Sequence, residues 1–217
     1  MGCNLNWLEQ ADVYCERVDF AFWGEPLNAV TNLSFVLVGL FMWRRTRGLP
    51  MGQALSAITI IIGVGSFLWH TYAARWAGVA DTAPIGVFIL VYLFATNRGI
   101  LGLPVWLSLV GTVAFIPYAA ILLPILNSVP FLAISNFYWT VPILLSIYAL
   151  WPLRNRDEAT GFLVGAAILA LSISVRSMDE TLCAAIPIGT HFLWHAINGL
   201  MLGWMIEVYR RSQVNKR

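Results

Sequence analysis

Apolar stretches long enough to cross a bilayer recur seven times along this chain, and they constrain its fold more than any other feature. They lie near 27–45, 53–72, 79–96, 103–123, 134–152, 159–176 and 186–208, each close to the ~20 residues that a helix needs to cross ~30 Å of hydrocarbon. Hydrophobic residues make up 59% of the chain and charged residues 11%, against roughly 25% charged in a soluble domain. An ordinary soluble domain is therefore excluded. The expected fold is all-α, an integral membrane bundle of seven transmembrane helices forming one domain over 1–217. It divides into an amphipathic N-terminal arm over 1–26, the seven helices over 27–209 and a basic tail over 210–217. Glu9, Asp12, Glu16 and Asp19 interrupt the first twenty residues, which leaves no apolar core for a cleavable signal peptide. Pro117, Pro124 and Pro142 are expected to kink or shorten the fourth and fifth helices.

Lysine and arginine set the orientation of such a bundle. With the C-terminus in the cytoplasm, that side carries Arg44, Arg45, Arg47, Arg98, Arg154, Arg156, Arg210, Arg211, Lys216 and Arg217. The opposite side keeps Arg17, Arg75 and Arg176. The bias of ten to three predicts an N-terminus outside and a C-terminus inside. It also predicts something that was not used to derive it. All three histidines of the chain, His70, His191 and His195, fall at one depth near the extracytoplasmic face, together with Asp81.

His191 and His195 are four residues apart, so on a helix they share a face and can reach one ion. Three neutral imidazoles with one open position suit catalytic zinc, which acidifies a water in the fourth place. Burying imidazoles in hydrocarbon without a partner is costly, and this favours metal over a helix-packing role. The zinc-protease helix places a glutamate directly after its first histidine. Here Phe192 stands there, so the base must come from elsewhere, and Asp81 is the candidate. Ser66 lies one turn before His70 and can face the same centre. The bland alternatives are that Ser66 bonds the carbonyl of the preceding turn and that Asp81 is a helix N-cap before Pro84. Asn198 either orients a ligand or bridges helices, and Asn28 with Asn32 reads as packing between helices.

Cys3, Cys15 and Cys183 all fall on the side where disulfides persist. A Cys15–Cys183 bridge, leaving Cys3 free, would tie the arm over the mouth of the site; three reduced cysteines are the alternative. Glu16, Asp19 and Glu25 form a candidate oxygen set for calcium, or they pair with Arg17, Arg75 and Arg176, or they face water.

Taken together, Tyr14-Cys15-Glu16-Arg17, Glu25-Pro26-Leu27-Asn28 with Asn32, Ser66 with His70, Asp81, and His191 with His195 resemble the alkaline ceramidase family, in particular its bacterial branch. That family belongs to a superfamily of seven-helix membrane hydrolases that also includes the adiponectin-type receptors. The resemblance implies zinc on His70, His191 and His195, Asp81 acting on the zinc water, and Ser66 supporting the tetrahedral intermediate. It implies hydrolysis of a ceramide-like N-acyl lipid to fatty acid and amine in a bacterial cytoplasmic membrane. The expected partner is a membrane lipid, with no nucleic acid involved. Animal relatives hold calcium through an aspartate and an asparagine at positions occupied here by Val13 and Val18, which argues against Ca2+ even though Glu16 and Glu25 match. The alternative is a receptor-like protein that senses lipid without turnover. A metal transporter is a third class, weakened because the fourth and fifth stretches are nearly free of charge.

Overall fold

Helices account for nearly all regular structure in the computed structural model, which describes residues 6–153 and 156–216. Cys3, expected to be free, lies outside these residues, as do Arg154 and Arg217 of the basic set. The helices run α1 (Pro26–Thr31), α2 (Leu33–Arg45), α3 (Pro50–Tyr72), α4 (Arg75–Ala95), α5 (Val105–Val113), α6 (Phe115–Asn127), α7 (Pro130–Ala133), α8 (Asn136–Leu150), α9 (Glu158–Ser177), α10 (Asp179–Leu182) and α11 (His191–Val214). Thr96–Ile100 continues α4 as a π-helical turn. Five stretches are long and apolar enough to cross a membrane: Pro26–Arg45, Pro50–Tyr72, Arg75–Ile100, Val105–Asn127 and Glu158–Ser177. α8 is shorter, at 15 residues, and α11 carries Glu207, Arg210 and Arg211 near its end. Large apolar side chains are turned outward along the bundle, Ile121 71% and Leu200 66% exposed. Water would not tolerate that coverage, whereas lipid does.

Prolines break the elements where backbone chemistry requires it. Pro117 has no N–H to donate to the carbonyl four residues earlier, Val113, and α5 ends at that residue. Pro124 and Pro142 stay inside α6 and α8. Phe35, Leu55, Phe162, Ile173 and Ile206 are buried in the core between the helices.

Three sequence boundaries need correction. α4 begins at Arg75 with Ala74 as its N-cap, so Asp81 sits nearly two turns inside the helix and is not its cap. α11 begins at His191 itself and runs to Val214, so most of the expected basic tail is helix. The arm from Asn6 to Glu25 contains no helix. It crosses the α3–α4 turn as a short extended contact, with the Ala11 N–H donating to the Ala73 carbonyl (2.9 Å) and the Arg75 N–H to the Glu9 carbonyl (3.0 Å).

Candidate metal centre

The end of α3 and the start of α11 meet at three buried imidazoles. His70 is in the last turn of α3; His191 and His195 occupy the first two turns of α11. Their ring centroids are 5.1 Å (His70 to His191), 4.8 Å (His70 to His195) and 4.7 Å (His191 to His195) apart. One nitrogen from each lies within 4.8 Å of the others. Rings stacked for packing alone would satisfy their polar atoms; these do not. His70 Nε2, His195 Nε2 and His191 Nδ1 are buried without a hydrogen-bond partner. Orphaned nitrogens in this density are costly in a low-dielectric interior, and the donor set of three imidazoles fits a divalent transition ion, zinc foremost.

The opposite edges of two rings are fixed. His70 Nδ1 lies 2.6 Å from Glu25 Oε2, so its N–H donates to the carboxylate and leaves the lone pair on Nε2. The Thr31 hydroxyl donates to the Leu27 carbonyl (2.8 Å) and stands 2.9 Å from His195 Nδ1; its oxygen accepts from that nitrogen, which again leaves Nε2 free. Outer partners of this kind set tautomer and ring orientation at metal sites. Tyr14 covers the third ring, stacked on His191 with centroids 3.7 Å apart.

Glu25 is itself held by a buried cation. Arg17 Nε donates to Glu25 Oε1 at 2.6 Å, and its terminal nitrogens donate to the Asp19 and His70 carbonyls, both at 2.9 Å. Burial pushes the Glu25 carboxyl up, but its bonds to His70 and Asn28 and the Arg17 charge outweigh that and hold it below the usual range. The three carboxylates of the calcium expectation go to separate partners. Glu16 accepts the Leu27 and Asn28 N–H groups at 2.6 and 2.7 Å and so caps α1. Asp19 accepts from Ala21 N–H within its own turn, and Glu25 is shared between Arg17 and His70. Among the described residues the histidines form the one cluster able to hold a metal.

Ser66 and Asp81 are brought together by a close helix crossing. A Cβ on Gly65 would collide with the Ala80 carbonyl on α4. Pro84, four residues on, cannot donate to that carbonyl, which leaves it free to lie against the glycine. The next residues on each helix are Ser66 and Asp81, which the crossing sets side by side on the wall of one cavity. This cavity, of about 290 Å3, is lined also by Tyr14, Trp69, Arg176 and His191. A smaller apolar cavity of about 60 Å3 shares the walls Ile85, Tyr138 and Trp194 with it and is lined further by Phe88, Met201 and Met205. Asn198 lines the apolar cavity and its Oδ1 is buried without a partner.

A disulfide joins Cys15 to Cys183 across 168 residues. Beside it, Asp179 does what no residue next to α11 does. Its Oδ1 accepts the Thr190 and His191 N–H groups at 2.6 and 2.8 Å, and its Oδ2 accepts the Cys15 N–H at 3.1 Å. Asp179 thereby caps the helix that carries His191 and His195 and ties the arm to it. Gly189 adopts φ +64°, and a Cβ there would strike this carboxylate. The sequence offered Arg17 as a partner for Glu25, and the structure pairs them. It gave no sign of the roles of Thr31, Asp179 and Arg176, each of which acts through a partner distant in sequence. Comparison with protein-family models and with curated proteins returns no match for this chain, so the geometry of the site carries the functional argument.

Proposed function

We propose that this chain is a zinc-dependent intramembrane hydrolase of N-acyl lipids, similar in chemistry to the alkaline ceramidases that its motifs resemble. The observation that carries the reading is the set of three buried imidazoles, one nitrogen of each within 4.8 Å of the others, beside Ser66 and Asp81 in one cavity and next to an apolar one. Zinc, when bound there by His70, His191 and His195, supplies Lewis acidity and an acidified water. The chain's own groups do the rest. Asp81 stands in the cavity to take a proton from the attacking water, and Ser66 beside it offers its hydroxyl to the oxygen that gains charge. The water oxygen bonds to the acyl carbon as the C–N bond breaks, and the proton passes from Asp81 to the leaving nitrogen. Fatty acid and amine result. The apolar lining past Phe88 and Met201 suits the part of the hydrocarbon chain nearest the amide.

Counting α8 and α11 as spans gives seven crossings, and the distribution of lysine and arginine supports an N-terminus outside. The site then opens at the extracytoplasmic side, where the Cys15–Cys183 bridge is stable. Purified protein is expected to hold about one zinc per chain and to release fatty acid from N-acyl lipids detected by mass spectrometry. His191→Ala should lose both metal and turnover. Lipid binding without any release over long incubation would point instead to a lipid sensor.

A further inference from the structure

We infer that the cavity takes an N-acyl lipid whose amine portion carries an anionic oxyacid group, carboxylate or phosphate, and that Arg176 is the residue that selects it. The inference rests on the hydrolase reading for the fate of the lipid, but not for its binding. Three arginines lie at this end of the bundle. Arg17 pairs with Glu25 and Arg75 with Glu9, at 2.6 and 2.8 Å. Arg176, in the last turn of α9, pairs with no carboxylate among the described residues. Its guanidinium is held instead by neutral groups: one terminal nitrogen donates to Ser135 Oγ at 2.8 Å, and the Tyr138 and Trp194 rings lie 5.2 and 5.9 Å from it. These contacts fix its direction, and the Asp81 carboxylate across the same cavity acts on it through space without forming an ion pair.

Arg176 lines the same cavity as His191, Ser66 and Asp81. A cation at this depth is costly unless it meets an opposite charge, and a metal on the histidines adds further positive charge. Guanidinium has five N–H donors in a planar fork that matches carboxylate and phosphate oxygens. At about 290 Å3 the cavity is near the lower end of small-molecule sites, roughly 300–1,000 Å3. That is room for a compact headgroup, with the apolar wall shared with the neighbouring cavity facing the start of the hydrocarbon. A neutral hydroxylated amine would leave the fork without its charge partner.

The test compares binding of N-oleoylglycine, N-oleoylethanolamine phosphate and neutral N-oleoylethanolamine to the zinc-loaded, detergent-solubilised full chain, in wild type, Arg176→Gln and Arg176→Lys. At least one anionic probe should bind the wild type about tenfold or more tightly than the neutral one, the fold-change carried by one charge-assisted hydrogen bond. Which anion wins distinguishes carboxylate from phosphate. In Arg176→Gln the preference should vanish while affinity for the neutral probe is kept, and Arg176→Lys should retain part of it. Equal binding of all probes by the wild type, or equal weakening of all three in Arg176→Gln at unchanged zinc content and melting temperature, overturns the inference. Fatty acid release read from the same samples separates the two readings. Charge preference without release removes the hydrolase and leaves the anion site, and release without charge preference does the reverse.

Discussion

Glu25→Gln isolates the link between the buried ion pair and the metal centre. The side chain keeps its shape but loses its charge, beside an Arg17 side chain that is 1% exposed. Removing one partner of a buried pair costs about 3–5 kcal/mol, because the other charge stays buried. The amide oxygen can still accept from Arg17 Nε, and the Asp19 and His70 carbonyls remain as acceptors, so the lower end, about 3 kcal/mol, applies. For a chain of this length that is a fall in melting temperature of roughly 6–12 °C. The second consequence concerns the metal. His70 Nδ1 loses a carboxylate acceptor at 2.6 Å, and loss of such an outer partner typically weakens metal binding about 10–100-fold, or roughly 1.4–2.7 kcal/mol. Competition against a chromophoric zinc chelator measures the second effect, and thermal unfolding in detergent the first. Arg17→Met combined with Glu25→Gln separates them: with both charges gone, stability should recover most of its loss, since apolar replacement of a buried pair is often neutral. Zinc affinity should stay low. Unchanged affinity in the single variant, or its full recovery in the double one, would show that Glu25 matters only for folding.

Gly65→Ala should drive α3 away from the Ala80 carbonyl, costing about 1–3 kcal/mol as overpacking does. It should lower hydrolysis more than zinc content, which metal analysis beside a turnover assay checks. Asp179→Ala removes the acceptor for the Thr190 and His191 N–H groups; a loss of about 1–2 kcal/mol, the scale of a helix cap, should appear in thermal unfolding. The Glu25 carboxyl is held below its ordinary range in the folded chain. Its contribution is therefore complete above the unfolded glutamate pKa of about 4.3 and is lost as pH falls through the lower, folded value. Acid unfolding followed by circular dichroism should show this loss in wild type and not in Glu25→Gln.

The membrane character of the chain and the pairing of His191 with His195 were legible because both are local. A run of apolar residues must be a helix wherever hydrocarbon surrounds it, and residues four apart share a helical face whatever the rest of the chain does. Helix limits were less so, because caps come from elsewhere: α11 starts at His191 because Asp179 closes its end, and α4 starts at Arg75 because the arm crosses the turn before it. The tertiary structure alone decided that Glu25 aims His70 from 45 residues away, that Arg17 rather than another arginine sits beneath Glu25, and that Arg176 faces the cavity in an ion pair with no carboxylate among the described residues. Periodicity gives each side chain a direction from its helix axis; which partner waits in that direction depends on how the helices cross, here on one glycine meeting one carbonyl freed by a proline.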